Sequence, residues 1–204
     1  MAFISTTPPD EAEDAVREMY ERQQGAWGFV PNYAKVFCHR PEVMVRWANL
    51  LAEIRRPLDA RRFELVTFAA AHELRHSSCA LAHGQQLTRF FDDEEVRAIA
   101  EQRPVAALTE AEAEMIAFAR KVARDASTIG PDDVARLKEH GFSDADIFDI
   151  AATAAARSFF TKLLDALGSE PDAPFLEMNE RLRDALAVGR PIDSRAVEIM
   201  TVVD

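Results

Sequence analysis

Between Glu64 and Gly84 the chain reads ELVTFAAAHELRHSSCALAHG, which gathers three of its five histidines and one of its two cysteines. If this segment continued as one helix, His72, His76, Cys79 and His83 would follow at spacings of four, three and four and share a face. A stripe of polar and nucleophilic side chains on an otherwise apolar helix admits several chemistries. His72-Glu73-Leu74-Arg75-His76 satisfies the H-E-x-x-H zinc pattern, in which two imidazoles one turn apart share the metal and the glutamate activates its water. A third ligand would fall to Cys79 or His83, and a thiolate sits awkwardly in a site meant to activate water. The plainest alternative is a half-exposed stripe in which Cys79 is only a small buried hydrophobe.

Thiol chemistry at Cys79 makes a different demand. The thiolate is the nucleophile, so it needs a base within reach and is helped by a helix start, whose free amides stabilise the anion. His83 lies one turn after Cys79 and His76 three residues before it, so either imidazole could take the proton. Glu64 precedes Cys79 by fifteen residues and can orient His83 only from a facing helix. That requires a break between Glu64 and Cys79, and no glycine, proline or asparagine marks one.

The elements that must position these groups read as helices throughout. Glycine is scarce, at 7 residues, and no long stretch alternates apolar and polar side chains as a half-buried strand would. Pro8, Pro9 and Asp10 open a helix to about Gln24, and GAWGFVPN over 25–32 reads as a loop. A short helix over 33–38 follows. Pro41 then opens one that lasts to about Arg56, where Pro57 ends it. Asp59 caps the helix bearing Phe63, Leu65, Val66 and Phe68, and Asp92 precedes another. Thr109 with Glu112 has the spacing of a capping box, and Gly130-Pro131 start a helix that Gly141 closes. Ser143 with Asp146 opens a long alanine-rich helix to Leu167, stopped by Gly168 and Pro171. One more amphipathic helix is expected over 175–188, with an arm over 190–204. The fold class is therefore all-α, one domain over 1–174 followed by a C-terminal helix and arm over 175–204. Phe63-Glu64-Leu65 and Phe148-Asp149-Ile150 each lead into a run of small residues, which suggests an internal helical repeat.

Glu64, then Cys79, then Ala82-His83 at these intervals resemble the active-site signature of the alkylhydroperoxidase D and carboxymuconolactone decarboxylase superfamily. Its thiol branch reads glutamate, C-x-x-C, x-x-A-H. Gly28-Phe29-Val30-Pro31-Asn32-Tyr33-Ala34 with His39-Arg40-Pro41-Glu42 resembles the entry region of its peroxidase-related subgroup. Leu108-Thr109-Glu110-Ala111-Glu112 and Gly141-Phe142-Ser143-Asp144 through Leu167-Gly168 resemble its second half, so the likeness runs from about Pro9 to Asp172. It implies an AhpD-like helical bundle, homo-oligomers (trimers or hexamers), no cofactor, and a relay in which a glutamate and a histidine deprotonate a cysteine that reduces peroxides. By this likeness the catalytic set is Cys79, His83 and Glu64. His76 stands where the first cysteine of C-x-x-C would be, and Ser78 precedes the second, so the usual intramolecular disulfide is not available. The likeness also implies a helix break at Leu74 and Arg75, which would separate His72 from His76.

Three functional expectations follow. In the leading one Cys79 meets a hydroperoxide, becomes a sulfenic acid and is reset by an external thiol or by Cys38, with His76 assisting deprotonation. Cys38 can serve only if the two α-carbons come within about 7 Å. In the second, Glu64, His76 and His83 form a cofactor-free acid–base site, a decarboxylase or isomerase of a lactone or other carbonyl compound. In the third the chain is a non-catalytic relative whose pocket binds a small ligand or whose oligomer is the function. A small-molecule substrate is expected in the first two, in a pocket lined by Trp27, Phe29, Tyr33, Ser78 and Trp47. Arg55-Arg56 and Arg61-Arg62 read as solvated helix ends that could steer an anionic substrate.

Composition bounds these options. The chain has 204 residues, 24 basic and 35 acidic, for a net charge of −11, and no basic stripe of the kind nucleic acid needs. Its apolar stretches are broken by charge well short of the ~18 residues of a membrane span. No basic segment followed by an apolar one opens the chain, so a cytoplasmic location is expected. Two cysteines, Cys38 and Cys79, do not make a disulfide framework.

Overall fold

The structure, a computed structural model, describes residues 2–193. Those residues form ten α-helices, joined by short turns, and no strand. A 3₁₀ turn at Pro9–Glu11 comes first, and the helix expected from Asp10 starts later, because Ala12 and Glu13 are extended. Ala12 is buried and its carbonyl accepts Arg17 Nε at 2.9 Å. α1 (Asp14–Trp27) then runs through Gly25, so the expected loop is shorter. It ends at Gly28, whose φ of 81° costs glycine little and a residue with Cβ more. α2 (Asn32–Val36), a 3₁₀ turn at Phe37–His39 and α3 (Pro41–Arg55) complete the N-terminal part.

The remaining helices carry the boundaries that side-chain caps dictate. Asp59 Oδ1 accepts Arg62 N at 2.9 Å and starts α4 (Ala60–Glu73), which α5 (Ser77–Leu87) follows after a break. Capping boxes open α6 (Asp93–Ala100), at Asp92 and Glu95, and α7 (Glu110–Asp125), at Thr109 and Glu112. Proline at the first helical position opens α8 (Pro131–Glu139), and Ser143 with Asp146 caps α9 (Asp144–Ala166). The single helix expected over 175–188 is instead a 3₁₀ turn at Ala173–Glu177 and α10 (Glu180–Leu186). Asn179 divides them, since its side-chain oxygen accepts the amides of Arg181 and Leu182 and so begins a new helix. Of the expected arm, 194–204 lie outside the described residues.

Two apolar clusters hold these helices. The larger joins α4 and α5 to α7, α9 and α10 through Phe68, Leu81, Met115, Ile150 and Leu186, each contributing about 1.5–3 kcal/mol on burial. Leu182 and Leu186 belong to it, so α10 is part of the core. The smaller gathers Met19, Tyr20, Phe37 and Trp47 of the N-terminal segments with Phe160 of α9, and it includes Cys79. Arg61 is no free helix end: its guanidinium grips both oxygens of Glu112, at 2.6 and 3.0 Å, and ties α4 to α7. The two echoing stretches lie on α4 and α9, which pack together, yet Phe63 is buried and Phe148 is 70% exposed. No described helix is long and apolar enough to cross a membrane.

Candidate active site

The break between α4 and α5 positions everything else. Leu74 ends α4, Arg75 turns left-handed at φ 56°, and His76 leads into α5. His76 N donates to Ala71 O at 3.1 Å and Arg75 N to His72 O at 3.0 Å, the paired bonds of a Schellman motif. Glycine normally fills the left-handed place; here an arginine does. His76 then serves as N-cap, its Nδ1 accepting the amide of Cys79 at 3.2 Å.

This break removes the continuous stripe and the H-E-x-x-H alignment with it. His72 Nε2 lies 3.3 Å from Ala185 O on α10, and Glu73 accepts Arg124 Nε of α7 at 2.6 Å. His76 caps the next helix, so the three residues face three different partners. Among the described residues no group of three or more His, Cys, Asp and Glu side chains is placed to hold a metal ion.

Glu64 and His83 do meet. His83 Nδ1 is 2.6 Å from Glu64 Oε2, and Phe63 packs edge-on against the imidazole at 6.3 Å. Glu64 is buried in mid-α4, and His83 stands one turn after Cys79 on α5. With Nδ1 committed to the carboxylate, proton exchange with the neighbouring space falls to Nε2. Burial lowers the His83 pKa, Arg157 lowers it further, and the bond to Glu64 opposes both.

Cys79, His83 and Glu64 all line a cleft of about 640 Å³ between the two apolar clusters. Trp27, Phe29, Tyr33, Ser78 and Trp47 line it as well, and Phe160 is the aromatic hub, with Trp47 stacked on it at 5.5 Å and Tyr33 edge-on at 5.4 Å. His76 and Cys38 are not among the lining residues. Cys38 is buried with Tyr20 and Phe37, its sulfur accepting Thr7 N at 3.4 Å.

One residue of the cleft escaped the sequence reading. Arg157 of α9 reaches Cys79 Sγ with Nη1 at 3.5 Å and lines the cleft. Burial pushes the Cys79 thiol pKa up, and the charge and hydrogen bond of Arg157 pull it down. A signal was present: Ile147, Ile150, Ala154, Arg157, Thr161 and Leu164 recur at helical spacing, which puts the arginine on the apolar face.

No family model matches the chain, and a search of curated proteins gave no match. Solved structures do match in shape. An uncharacterized peroxidase-related protein from Ralstonia eutropha JMP134 with an alkylhydroperoxidase AhpD core superposes with a TM-score of 0.76 at 24% identity, covering 87% of this chain and 95% of that one. A peroxidase-related protein from Silicibacter sp. TM1040 gives 0.69 at 20% identity, covering 86% and 91%. The debrominase Bmp8 gives 0.72 at 16% identity, covering 90% and 97%, and a cysteine-to-alanine variant of it is known in complex with 2,3,4-tribromopyrrole. The chain therefore has the AhpD-like, all-helical fold.

Proposed function

We propose that the chain is a cysteine-dependent oxidoreductase that reduces a small hydroperoxide at Cys79, with His83 as proton acceptor and Glu64 orienting it. The observation that carries this reading is the 2.6 Å Glu64–His83 bond beside a cysteine in the first turn of the same helix, with all three in one cleft. His83 takes the thiol proton, and the helix start together with Arg157 favours the anion. The sulfur attacks the outer oxygen of the hydroperoxide: an S–O bond forms, the O–O bond breaks, and the alkoxide leaves with the proton from His83. The thiol is oxidised by two electrons to a sulfenic acid. An external thiol then condenses with it, releasing water, and a second thiol frees Cys79. His76 enters through the backbone, as the cap that fixes where Cys79 sits. The peroxidase-related neighbours of the same fold support the reading.

Its test is the mass of the intact chain after treatment with cumene hydroperoxide, with dimedone present to trap a sulfenic acid. One adduct is expected on Cys79, retained in Cys38→Ser and lost in Cys79→Ser. Full peroxide consumption by Cys79→Ser sinks the proposal.

A second reading has its own support. Burial holds the Cys79 thiol pKa up, and the Glu64–His83 pair forms without the sulfur. A cofactor-free acid–base enzyme acting on a lactone or other carbonyl compound would use that pair alone. Turnover of such a compound surviving in Cys79→Ser and lost in His83→Gln would select it.

A further inference from the structure

Arg157 is 4% exposed and lines the cleft. Among the described residues its guanidinium forms no ion pair. Nη1 meets the Cys79 sulfur, Nε is buried without a partner among those residues, and the Phe160 ring lies 5.7 Å from Cζ. A buried cation without a counter-charge is costly, and a neutral thiol 3.5 Å away offsets little of that cost. The structure therefore holds a desolvated positive charge against an open cavity, which is the state an anion would complete.

The other charged groups of the cleft balance one another, which leaves Arg157 as the excess positive charge. Arg55 and Arg89 also line it, and neither has an ion pair among the described residues. Two carboxylates face the same space, Glu64 bonded to His83 and Asp172 accepting Asn32 N at 2.8 Å, and they offset Arg55 and Arg89. Three arginines converge on this cavity in a chain whose net charge is −11. Met44, Trp47, Leu51, Phe63 and Phe160 make much of the remaining wall apolar.

We propose that the cleft binds a small organic carboxylate, its acid group seated on Arg157 and its apolar body on Trp47 and Phe160. This rests on the thiol reading and names its substrate class: a hydroperoxide that also carries a carboxylate. A guanidinium has five N–H donors, so it can hold the sulfur with one and the carboxylate with others. Because one side chain touches both, the acid group and the reacting oxygen of the substrate lie only a few bonds apart. Arg55 and Arg89, both exposed, draw the anion toward the mouth.

The chain's two tryptophans, Trp27 and Trp47, both line the cleft, so intrinsic fluorescence reports on its occupant. The probes are benzoate and benzamide, planar isosteres that differ in charge, titrated into the Cys79→Ser chain. Benzoate is expected to give a saturable change and to bind about tenfold or more tightly than benzamide. Arg157→Gln is expected to abolish that preference. Equal binding of the two probes, no saturable change with benzoate, or a preference that survives in Arg157→Gln overturns the proposal. The probe comparison with Arg157 intact decides the matter even where Arg157→Gln does not fold. The sulfur is absent from the titration, so the two readings fail separately. Loss of the Cys79 adduct with benzoate preference intact sinks the thiol reading alone; equal binding beside a Cys79-dependent adduct sinks this one alone.

Discussion

His76 Nδ1 accepts the backbone N–H of Cys79 at 3.2 Å, so the residue three places before the cysteine caps the helix that carries it. The bond fixes the tautomer: the ring proton sits on Nε2, which is buried and has no hydrogen-bond partner among the described residues. An imidazole held this way is a structural device at the base of the site. It aims the first turn of α5, and in the proposed thiol mechanism proton transfer falls to His83.

Removing the cap is costly. His76→Ala loses an N-cap bond and leaves a cavity at a residue 1% exposed, for a destabilisation of about 2–3 kcal/mol. His76→Asn restores an acceptor and is expected to recover about 1 kcal/mol of it. Urea unfolding at neutral pH measures both, and equal losses in the two variants would falsify the capping role.

The same histidine makes stability depend on pH. Its pKa in the folded chain falls to about 4, chiefly by burial, with Asp165 opposing and Arg157 and Arg190 adding to the drop. The unfolded value is about 6.5, so between the two the unfolded chain binds more protons. Stability is fully present above about pH 6.5 and is lost as the pH falls toward 4, on the order of 3 kcal/mol at most from this group. His72 and His83, whose pKa values burial also lowers, act in the same direction. Unfolding free energies over pH 4 to 8 are expected to show a shallower slope for His76→Asn.

Arg75 offers an unusual stabilising change. Its φ of 56° places a side chain where glycine is at ease, at the left-handed position of the motif that ends α4. Arg75→Gly is therefore expected to raise stability by about 0.5–1 kcal/mol, against the usual loss on introducing glycine. A fall in the urea midpoint would show that the arginine side chain does more than occupy this place.

The same residue explains why the site was only partly legible in the sequence. Helix starts were readable where a side chain caps them, as at Asp59, Asp92, Thr109 and Ser143, because capping is local chemistry. The α4–α5 break was not, since the left-handed residue is an arginine and the cap is a histidine, neither a usual marker. It came only through the family likeness. Glu64, Cys79 and His83 could be singled out by type and interval, but that Glu64 touches His83 depends on two helices packing. Arg157 was missed although its period was visible, because a lone arginine in an alanine-rich helix signals a buried charge only once something is known to face it.

In the proposed mechanism Glu64 acts through His83, and its replacement separates positioning from packing. Glu64→Gln removes the negative charge and leaves the shape, so the His83 pKa drops further below its ordinary value. If His83 accepts the thiol proton, peroxide reduction falls about a hundredfold and the acid limb of its pH profile moves to lower pH. A purely structural role for Glu64 leaves that limb where it was.

Gly84 tests how α10 holds the site. It follows His83 on α5, and glycine inside a helix ordinarily costs about 1 kcal/mol relative to alanine, so propensity alone favours Gly84→Ala. A Cβ there would run into Leu186 Cδ1, and Leu186 is fully buried in the larger cluster. It has little room to yield, and overpacking of this kind costs about 1–3 kcal/mol. Gly84→Ala is thus expected to lower stability by about 1 kcal/mol net, while adding it to Leu186→Ala offsets part of that variant's loss by filling its cavity. A double-mutant cycle by urea unfolding gives the sign of the coupling. If Gly84→Ala alone stabilises the chain, α10 does not pack against the turn that carries His83 as closely as the structure requires.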